Sequence, residues 1–398
     1  MEVDAARLAT SPAALALLAS MPPYDPAGAL VLASQLRSGG ADPEVVATAM
    51  TQARLRAAAA SKFGPFANGM LFTQDGLEQA TRLAVAAHHA KRYLDAGFTS
   101  VADLTCGLGA DAMAFASMGL SVLAFERDEA TALLADHNLR HWEDARVVHA
   151  DAMATLASGH IDAQALFVDP ARRDGRGRRH DPRDYSPPLD DVLGLRASWP
   201  DMGIKLGPAL PHSAVPPEAE AQWVSVDGDV VEMGVWTGKL ARRNGHSALV
   251  LRGGESHVFE GEPVPGEVGP LGAYVYEPDG AVIRSGLVGP LAATVGATLI
   301  DPQIAYLTCD APLSTHFATG FKILEALPYS EKRLASALAA RGIGALEIKK
   351  RGMDVDPAAL RPRLKLKGAA RATVILTRVD GARLAIIAER VDRPARHS

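Results

Sequence analysis

The segment 101–111, which reads VADLTCGLGAD, constrains this chain more than any other part of it. An apolar run that ends in an acid and then turns through two glycines is typical of a strand, a tight turn and a helix in a Rossmann-like parallel sheet. Gly107 and Gly109 lack a Cβ, so the backbone of such a turn can approach a ligand closely. The segment therefore predicts the nucleoside-binding edge of a sheet.

Asp103 and Thr105 give this loop a chemistry of its own. The loop lacks the third glycine of the GxGxxG spacing, and a carboxylate at Asp103 would repel a pyrophosphate. An acid at this place instead suits a cationic amino-acid head or the sulfonium end of S-adenosylmethionine, with Thr105, Gly107 and Gly109 as further contacts. The alternative is a structural glycine turn with a capping Asp.

Two further acids follow apolar runs. Glu126 ends the run SVLAF, 19 residues after Gly107, where a carboxylate can accept both hydroxyls of a ribose. Arg127 comes next and could contact a phosphate. Because the acidic residue comes first, a ribose that carries a 2′-phosphate is disfavoured as the ligand. Asp151 ends the following strand, ahead of Ala152, and could accept from an adenine amino group. Alternatively, Glu126 is a helix N-terminal charge and Asp151 an N-cap, and both roles can hold together.

Asp169-Pro170 is the candidate catalytic pair, at the end of the apolar run ALFV. An exocyclic base amine is a poor nucleophile because its lone pair is delocalised into the ring. The Asp169 side chain and the Pro170 carbonyl could accept its two hydrogens and so orient the lone pair. Asp169 also counts as a cofactor contact. The alternative is a strand-ending Asp-Pro turn, common in α/β proteins.

An arginine-rich loop follows this pair. Six arginines lie between 172 and 183 and could grip phosphates. Arg172 and Arg173 begin the loop and, with Lys205 on the fifth strand, are the predicted substrate contacts. The alternative is a solvated loop whose aspartates dilute the charge.

Alternating apolar runs and helical patterns predict a parallel sheet with helices on both faces. Asp227-Gly228 between two alternating runs predicts a hairpin.

Upstream, residues 1–60 read as alanine-rich helices, and one helix is predicted from Gln74 to Leu94 with Thr73 as its cap. The strands are predicted near 100–104, 121–126, 146–149, 164–168 and 202–206, and the helices near 110–117, 128–140, 152–157 and 188–197.

The C-terminal residues 320–398 carry an excess of positive charge. They hold 17 Lys and Arg against 8 Asp and Glu, a net charge of +9, whereas residues 1–319 have a net charge of −14. A basic terminal module on an acidic body predicts a polyanionic partner such as RNA, and a solvated basic face is the alternative. The module reads as strands at 320–326, 344–350, 372–378 and 383–389 with helices at 330–341 and 356–363.

The remaining composition favours a cytoplasmic protein without a membrane partner. Cys106 and Cys309 are too few for a disulfide framework and no CxxC occurs, which indicates a reducing compartment. The apolar N-terminus lacks a basic leading region, and no apolar run approaches the ~20 residues of a membrane span. His137 and His141 have helical i, i+4 spacing but no matching carboxylates, so no metal is predicted. The oligomeric state is left open.

Five phrases of the sequence resemble the class I S-adenosylmethionine-dependent methyltransferases, and more closely a bacterial branch with a C-terminal THUMP-like domain. The layout is also similar to that of trimethylguanosine synthase-type enzymes, in which a helical lead-in precedes the sheet. The resemblance implies S-adenosylmethionine as the cofactor, with Phe72 and Thr73 closing over its methionine end, and an RNA-binding role for the terminal module. The phrases are MLFTQDGLEQAT, DLTCGLGADA, FVDPARR, EPDGAVIRSGL and EIKKRGMDVD.

Together these patterns predict an α/β protein: a Rossmann-like class I methyltransferase sheet with an N-terminal helical extension and a small C-terminal α+β domain. The expected domains are residues 1–97, 98–311 and 312–398. The expected activity is methylation of an exocyclic base nitrogen in tRNA or rRNA. A small-molecule or protein methyltransferase and a non-catalytic RNA-binding factor are the alternatives. The sequence departs from this family at one place. Related amino-methyltransferases have Asp-Pro-Pro followed by an aromatic residue, and here Ala171 and Arg172 stand in place of the second proline and the aromatic.

Overall fold

The computed structural model describes residues 1–159, 161–171 and 184–391, together with the backbone of 173–174 and 177–178. The chain divides into two units. The first contains residues 1–206 and 235–242, and the second contains residues 207–234 and the chain from 243 onward. The three domains predicted from the sequence are a finer division and stay a prediction.

Six helices precede the sheet of the first unit. The longest begins at Asp42, whose side chain accepts hydrogen bonds from the backbone amides of Glu44 and Val45 at 2.8 and 3.1 Å. Pro43 takes the first helical position, where no amide donor is needed. The helices are α1 (Val3–Ala9), α2 (Pro12–Ser20), α3 (Ala29–Ser38), α4 (Pro43–Phe63), α5 (Gln74–Gln79) and α6 (Leu83–Asp95).

The sheet of this unit contains five parallel strands in the order β3-β2-β1-β4-β7. Because the strands are parallel, the residues that follow their carboxyl ends meet along one edge. The predicted alternation is confirmed to within one or two residues at most boundaries. The elements are β1 (Ser100–Asp103), α7 (Ala110–Ser117), β2 (Ser121–Glu126), α8 (Glu129–Leu139), β3 (Ala145–His149), α9 (Ala152–Ser158), β4 (Ala165–Val168), the short pair β5 (Arg173–Asp174) and β6 (Gly177–Arg178), α10 (Leu189–Gly194) and β7 (Met202–Leu206).

Tyr93 attaches helix α6 to the sheet. Its buried hydroxyl donates to the carbonyl oxygen of Leu166 at 2.5 Å and accepts from the amide of Gly203 at 3.1 Å, so it joins β4 to β7. The ring packs edge-on against Trp236, with ring centroids 6.4 Å apart. The helical lead-in is therefore part of the core of the first unit rather than an appendage to it.

The predicted single helix from Gln74 to Leu94 is wrong, because the chain turns between α5 and α6. The Lys62 ammonium donates to the carbonyl oxygens of Leu77, Glu78 and Ala80 at 2.7, 2.7 and 3.0 Å. A cation that satisfies the last carbonyls of a helix stabilises its end. Thr81 is thereby released from helical geometry. The predicted cap at Thr73 is confirmed, since its hydroxyl accepts from the Gly76 amide at 2.9 Å.

The second unit begins with the predicted hairpin, which is confirmed. Asp227 and Gly228 both have positive φ angles, 51° and 97°, as a tight type I′ turn requires. The last two residues of β9 belong to the first unit. The strands are β8 (Glu220–Val226), β9 (Asp229–Trp236), β10 (Gly245–Arg252), which pairs parallel with β8, and β11 (Glu255–Gly261), antiparallel to β10.

A seven-stranded sheet in the order β13-β14-β12-β15-β18-β17-β16 forms the rest of the second unit. Its last four strands and two helices are the predicted C-terminal module, whose pattern is confirmed. The elements are β12 (Tyr274–Pro278), α11 (Gly280–Arg284), α12 (Val288–Val295), β13 (Thr298–Asp301), β14 (Ile304–Cys309), β15 (Ala318–Pro328), α13 (Glu331–Ala340), β16 (Ile343–Lys350), α14 (Pro357–Arg363), β17 (Ala370–Val379) and β18 (Ala382–Arg390).

The observed architecture agrees with the predicted fold class: a parallel α/β sheet, helices before it, and a β-rich C-terminal part. Within the described ranges, every helix is too short or too polar to cross a lipid bilayer.

We predict that Gly203→Ala destabilises the first unit by about 1–3 kcal/mol, since overpacking a filled core has this cost. A Cβ at Gly203 would lie 2.5 Å from the Trp236 ring and 2.7 Å from the Tyr93 hydroxyl. Thermal unfolding measures the effect. Gly194→Ala is the matched control, because a Cβ there meets no atom within 4 Å. Equal melting temperatures for the two variants would contradict the described packing.

Candidate functional site

The glycine loop follows the end of β1 and has open space beside Gly107. Gly107 and Gly109 have φ angles of 54° and 86°, in the left-handed region that only glycine adopts readily. Gly109 is the residue before helix α7, whose N-terminus favours polar or anionic groups. A Cβ at Gly107 would meet no atom within 4 Å, so the space in front of the loop is open. The loop can therefore receive a ligand against its backbone.

Glu126 is held against this loop. One carboxylate oxygen accepts from the Gly107 amide at 3.1 Å, and the other accepts from the Asp128 amide at 2.8 Å. The structure thus brings together two of the predicted cofactor residues from β1 and β2. Arg127 is exposed, and its carbonyl oxygen lies 3.2 Å from Nε2 of His149 on the neighbouring strand.

Asp151 begins helix α9 and lies near the end of β2. Its side chain accepts from the Ala154 amide at 3.1 Å, so the N-cap reading of this residue is confirmed. The Ala150 amide donates to the Glu126 carbonyl oxygen at 3.1 Å, which places the turn beside Glu126. Asp151 is exposed, whereas Ala152 is buried. The geometry leaves the carboxylate accessible for a second contact.

Asp103 is a buried carboxyl group, 1% exposed. Burial raises its pKa well above the usual value, and the negative charges of Asp111 and Asp169 act in the same direction. The Thr105 amide, 3.1 Å from one oxygen, and the Lys205 ammonium oppose this shift without cancelling it. Asp103 therefore holds its proton to higher pH than an exposed aspartate does.

Thr105 connects the glycine loop to the candidate catalytic pair. Its hydroxyl oxygen accepts from the backbone amide of Asp169 at 2.7 Å. The Asp169 side chain, 33% exposed, forms an ion pair with Lys205, which is 11% exposed. Four of the predicted residues, Asp103, Thr105, Asp169 and Lys205, thus form one connected group at the carboxyl edge of the sheet.

A buried chain of polar groups continues from Lys205 and was missed by the sequence analysis. The Lys205 ammonium donates to the Thr81 hydroxyl at 2.9 Å, and Thr81 donates to Asp111 at 2.6 Å. The other Asp111 oxygen lies 2.8 Å from Nδ1 of His89. The one sequence signal was an acid two residues after Gly109, on a helix whose other residues are nearly all apolar. Thr81 lay inside the wrongly predicted helix.

Asp111 is ionised despite its burial. Burial alone would raise its pKa, but the hydrogen bond and charge of His89, the charge of Lys205 and the Thr81 hydroxyl together lower it below the usual value. A carboxylate of this kind needs all its partners, because a buried charge without them is costly.

Phe72 and Thr73 differ in their side-chain surroundings. The Thr73 hydroxyl lies near Leu108 of the glycine loop, because a Cβ at Gly76 would be 2.6 Å from the one and 2.8 Å from the other. The Phe72 ring is fully buried and packs on Phe63, with ring centroids 5.6 Å apart. Two buried amides hold the backbone here. Gln52 exchanges a pair of 2.9 Å hydrogen bonds with Phe72, and Asn138 bonds both Leu71 and the Leu108 carbonyl of the glycine loop at 2.7–3.0 Å. The segment therefore contacts the loop through Asn138.

The side chains of the predicted arginine loop, 172–183, lie outside the described residues, including those of Arg172 and Arg173. The flanking residues are described. Ala171 and Ser186 exchange backbone hydrogen bonds of 2.9 and 3.1 Å, which closes the base of the loop. Tyr185 is buried next to this bridge. Phe66, which follows helix α4, is half-exposed and lines a cavity of about 190 Å³ with Trp142.

Among the described side chains, Glu255, His257 and His316 could supply metal ligands, with ligand atoms within 4.8 Å of one another. The two imidazole rings are stacked, with centroids 3.6 Å apart and planes inclined by 16°. A metal ion must lie in the plane of each ring at about 2.1 Å from nitrogen, and such nearly parallel planes do not meet there. This arrangement does not support a metal centre.

The C-terminal module presents a basic segment, residues 361–371. No acid occurs between Pro357 and Val379. Arg363 is paired with Glu331 at 2.9 Å. The other cations of the segment are exposed: Arg361, Lys365, Lys367 and Arg371. The segment offers a concentrated positive surface for a polyanion.

Comparison with known families identifies three parts of the chain. Residues 72–171 match a family model described as SAM-dependent methyltransferase, and residues 318–390 match one described as THUMP domain-like. Residues 2–59 match a domain of unknown function. The first match contains the glycine loop and Asp169, and the second contains the basic segment.

Whole-chain relatives exist in Mycobacterium tuberculosis. An uncharacterised S-adenosylmethionine-dependent methyltransferase of strain H37Rv is 34% identical over 374 residues, covering 90% of this chain and 99% of the relative, and its counterpart in strain CDC 1551 matches equally. A crystal structure described as a methyltransferase of Porphyromonas gingivalis W83 covers 93% of this chain and all of its own, with a TM-score of 0.73 and 21% identity. That likeness shows the same fold.

We predict that Asp111→Asn lowers the free energy of unfolding by about 3–5 kcal/mol at pH 7, the usual cost of breaking a buried ion pair. Because the pKa of Asp111 is lowered in the folded state, its contribution is fully present above about pH 3.8, the unfolded value, and is lost as pH falls through the folded value. Urea unfolding of both proteins should therefore converge at acidic pH. A pH-independent difference would contradict an ionised Asp111.

Proposed function

The chain belongs to the S-adenosylmethionine-dependent methyltransferases, and we propose that it methylates an exocyclic base nitrogen in RNA. The cofactor supplies an electrophilic methyl group on a positively charged sulfur. The observation that carries the proposal is the 2.7 Å hydrogen bond between Thr105 and the amide of Asp169. It joins the loop that receives the cofactor to the acid that would orient the acceptor.

The carboxyl edge of the sheet fits this cofactor. The space in front of Gly107 is open, and Glu126 is fixed against the loop so that its carboxylate can accept ribose hydroxyls. Asp151, exposed beside Glu126, is proposed to accept from the adenine amino group. The other proposed contacts are Thr105, Gly109, Arg127, Ala152 and, near the methionine end, Phe72 and Thr73.

Asp103 is proposed to face the cationic end of the cofactor. Its pKa is raised by burial, so any protonated fraction of the carboxyl must lose its proton to pair with a cation. A positive ligand lowers the pKa of a neighbouring acid. Cofactor binding is therefore coupled to proton release at Asp103, and binding becomes stronger as pH rises.

Asp169 and the Pro170 carbonyl are proposed to hold the two hydrogens of the acceptor amine. This contact orients the nitrogen lone pair and opposes its delocalisation into the ring. The Ala171–Ser186 bridge places Tyr185 near the pair, and Tyr185 is our candidate for the aromatic that related enzymes carry within the motif. Arg172 and Arg173 remain proposed phosphate contacts.

RNA is the proposed substrate because of the C-terminal module. Its match to a THUMP-like family and the exposed basic segment 361–371 both favour a polyanionic partner. Cations that neutralise phosphates bind nucleic acid with little regard to sequence, so the module would hold RNA while the sheet edge selects the base.

We predict that Glu126→Gln weakens S-adenosylmethionine binding about 10–100-fold, the equivalent of one charged hydrogen-bonding partner. The glutamine oxygen can still accept from the Gly107 amide, whereas its NH2 group cannot accept from the Asp128 amide, so the melting temperature of the variant is measured alongside its affinity. Calorimetry measures the affinity, with NAD as a ligand control. Glu129→Gln serves as the matched variant, because this partly exposed acid on α8 pairs with Arg7 and makes no contact with the glycine loop among the described hydrogen bonds. Equal affinity in wild type and Glu126→Gln would remove Glu126 from the site.

We predict that S-adenosylmethionine affinity rises with pH and that binding releases a proton. Calorimetry in two buffers of different ionisation enthalpy measures the number of protons released. Asp103→Asn has no proton to lose, so it should bind without proton release and with less dependence on pH. Proton release that persists in this variant would assign the coupling to another group.

We predict that the wild-type protein transfers a tritiated methyl group from S-adenosylmethionine to cellular RNA, and that Asp169→Asn loses at least about 100-fold of this rate, typical for a positioning contact. Calorimetry on the same variant shows whether Asp169 also contacts S-adenosylmethionine, as the sequence predicts. Nucleoside digestion then identifies the methylated atom. Label found only in the protein or small-molecule fraction would overturn the RNA proposal while leaving the methyltransferase assignment in place.

A further inference from the structure

We propose that Lys205 is a positioning residue that holds the Asp169 carboxylate, and that Thr81 and the buried Asp111 hold the Lys205 ammonium in turn. The inference rests on the proposed role of Asp169 and reassigns Lys205, predicted from the sequence to contact substrate. It follows from a continuous hydrogen-bonded chain that connects the edge of the sheet with the interior of the first unit.

The direction of each hydrogen bond in this chain is determined by chemistry. An ionised carboxylate can only accept, so the Thr81 hydroxyl must donate its single proton to Asp111, at 2.6 Å. The Thr81 oxygen can then only accept from Lys205, at 2.9 Å. An ammonium has donors alone, so Lys205 also donates to Asp169. Replacing the Thr81 hydroxyl with a methyl group, as in Thr81→Val, would remove both of these hydrogen bonds, the one to Asp111 and the one from Lys205.

Burial makes the arrangement rigid. The Lys205 side chain is 11% exposed, and a buried ammonium must keep its acceptors to offset lost hydration. The charged or titratable groups near Lys205 include Asp103, Asp111, Asp169 and, beyond Asp111, His89. Lys62 on α4 is a second cation close enough to interact with the Lys205 charge. Asp169 is 33% exposed, whereas Thr81, the other acceptor of Lys205, is 5% exposed. Asp169 is therefore the one of these two that can contact a substrate.

The ion pair also determines what Asp169 can do. A cation in contact with a carboxylate favours its ionised form. An ionised Asp169 accepts hydrogen bonds and donates none, so the acceptor atom must bring an N–H group to it. Lys205 would thus select an amine over a ring nitrogen that has only a lone pair.

The test that needs no substrate is a carboxyl NMR titration of protein labelled with ¹³C at the aspartate side chains. Loss of one signal in Asp169→Asn assigns the resonance. Lys205→Met should raise the pKa of Asp169 by about 1–3 units, the usual effect of removing a contacting charge. Thr81→Val should raise it by less, and Thr81→Ser should match wild type.

Lys91→Met is the control, because this exposed lysine pairs with Asp95 on the same helix face and should leave the Asp169 titration unchanged. Melting temperatures show whether each variant is folded. An unchanged pKa of Asp169 in a folded Lys205→Met protein would overturn the inference. So would a shift of equal size in Thr81→Ser and Thr81→Val.

Methyl transfer to RNA gives the second readout. Thr81→Val should lower kcat at least about fivefold with the KM for RNA and the affinity for S-adenosylmethionine unchanged, and Thr81→Ser should restore kcat. If Asp169→Asn keeps the wild-type rate, the proposed role of Asp169 fails. If Asp169→Asn is inactive while Lys205→Met and Thr81→Val keep both the wild-type kcat and the Asp169 pKa, only the inference about Lys205 fails.

Discussion

The first unit depends on the ionised carboxylate of Asp111, which is buried in the interior and satisfied by partners from separate elements. Thr81 lies between α5 and α6, His89 lies on α6, and Lys205 on β7 contacts Thr81. A buried charge is tolerated only if each of these groups stays in place. The helical lead-in, the helix after the glycine loop and the fifth strand of the sheet are thereby fixed to one another.

The candidate site uses this rigidity at the carboxyl edge of the sheet. Parallel strands deliver Asp103, Glu126 and Asp169 to one edge because their carboxyl ends coincide there. Short hydrogen bonds from Gly107 to Glu126 and from Asp169 to Thr105 then connect the three strand ends. The result is an acid-rich edge in which burial raises the pKa of one carboxyl, Asp103, and another, Asp169, is paired with a lysine. Such an edge suits a cationic cofactor and an acceptor that carries N–H groups.

Much of this could be predicted from the sequence. Strands with acidic ends, the glycine loop, the hairpin at Asp227-Gly228 and the C-terminal module follow local rules of propensity, turn chemistry and charge, and the structure bears them out. The break between α5 and α6 at 80–82 could not be predicted, because the group that ends α5 is the Lys62 ammonium, and Lys62 lies on α4, 15 to 18 residues earlier in the chain. The burial of the Phe72 ring could not be predicted either, because it depends on packing against Phe63 of helix α4.

The sequence by itself therefore determined the order of the elements, the acids at the strand ends and the family of the protein, since each is a property of short segments. Only the tertiary structure decided which acids are charged and what they touch. The pKa of Asp103 and that of Asp111 move in opposite directions although both residues are buried aspartates near one loop. The difference comes from partners distant in the chain, because hydrogen bonds and charges act through space and carry no trace in the local sequence.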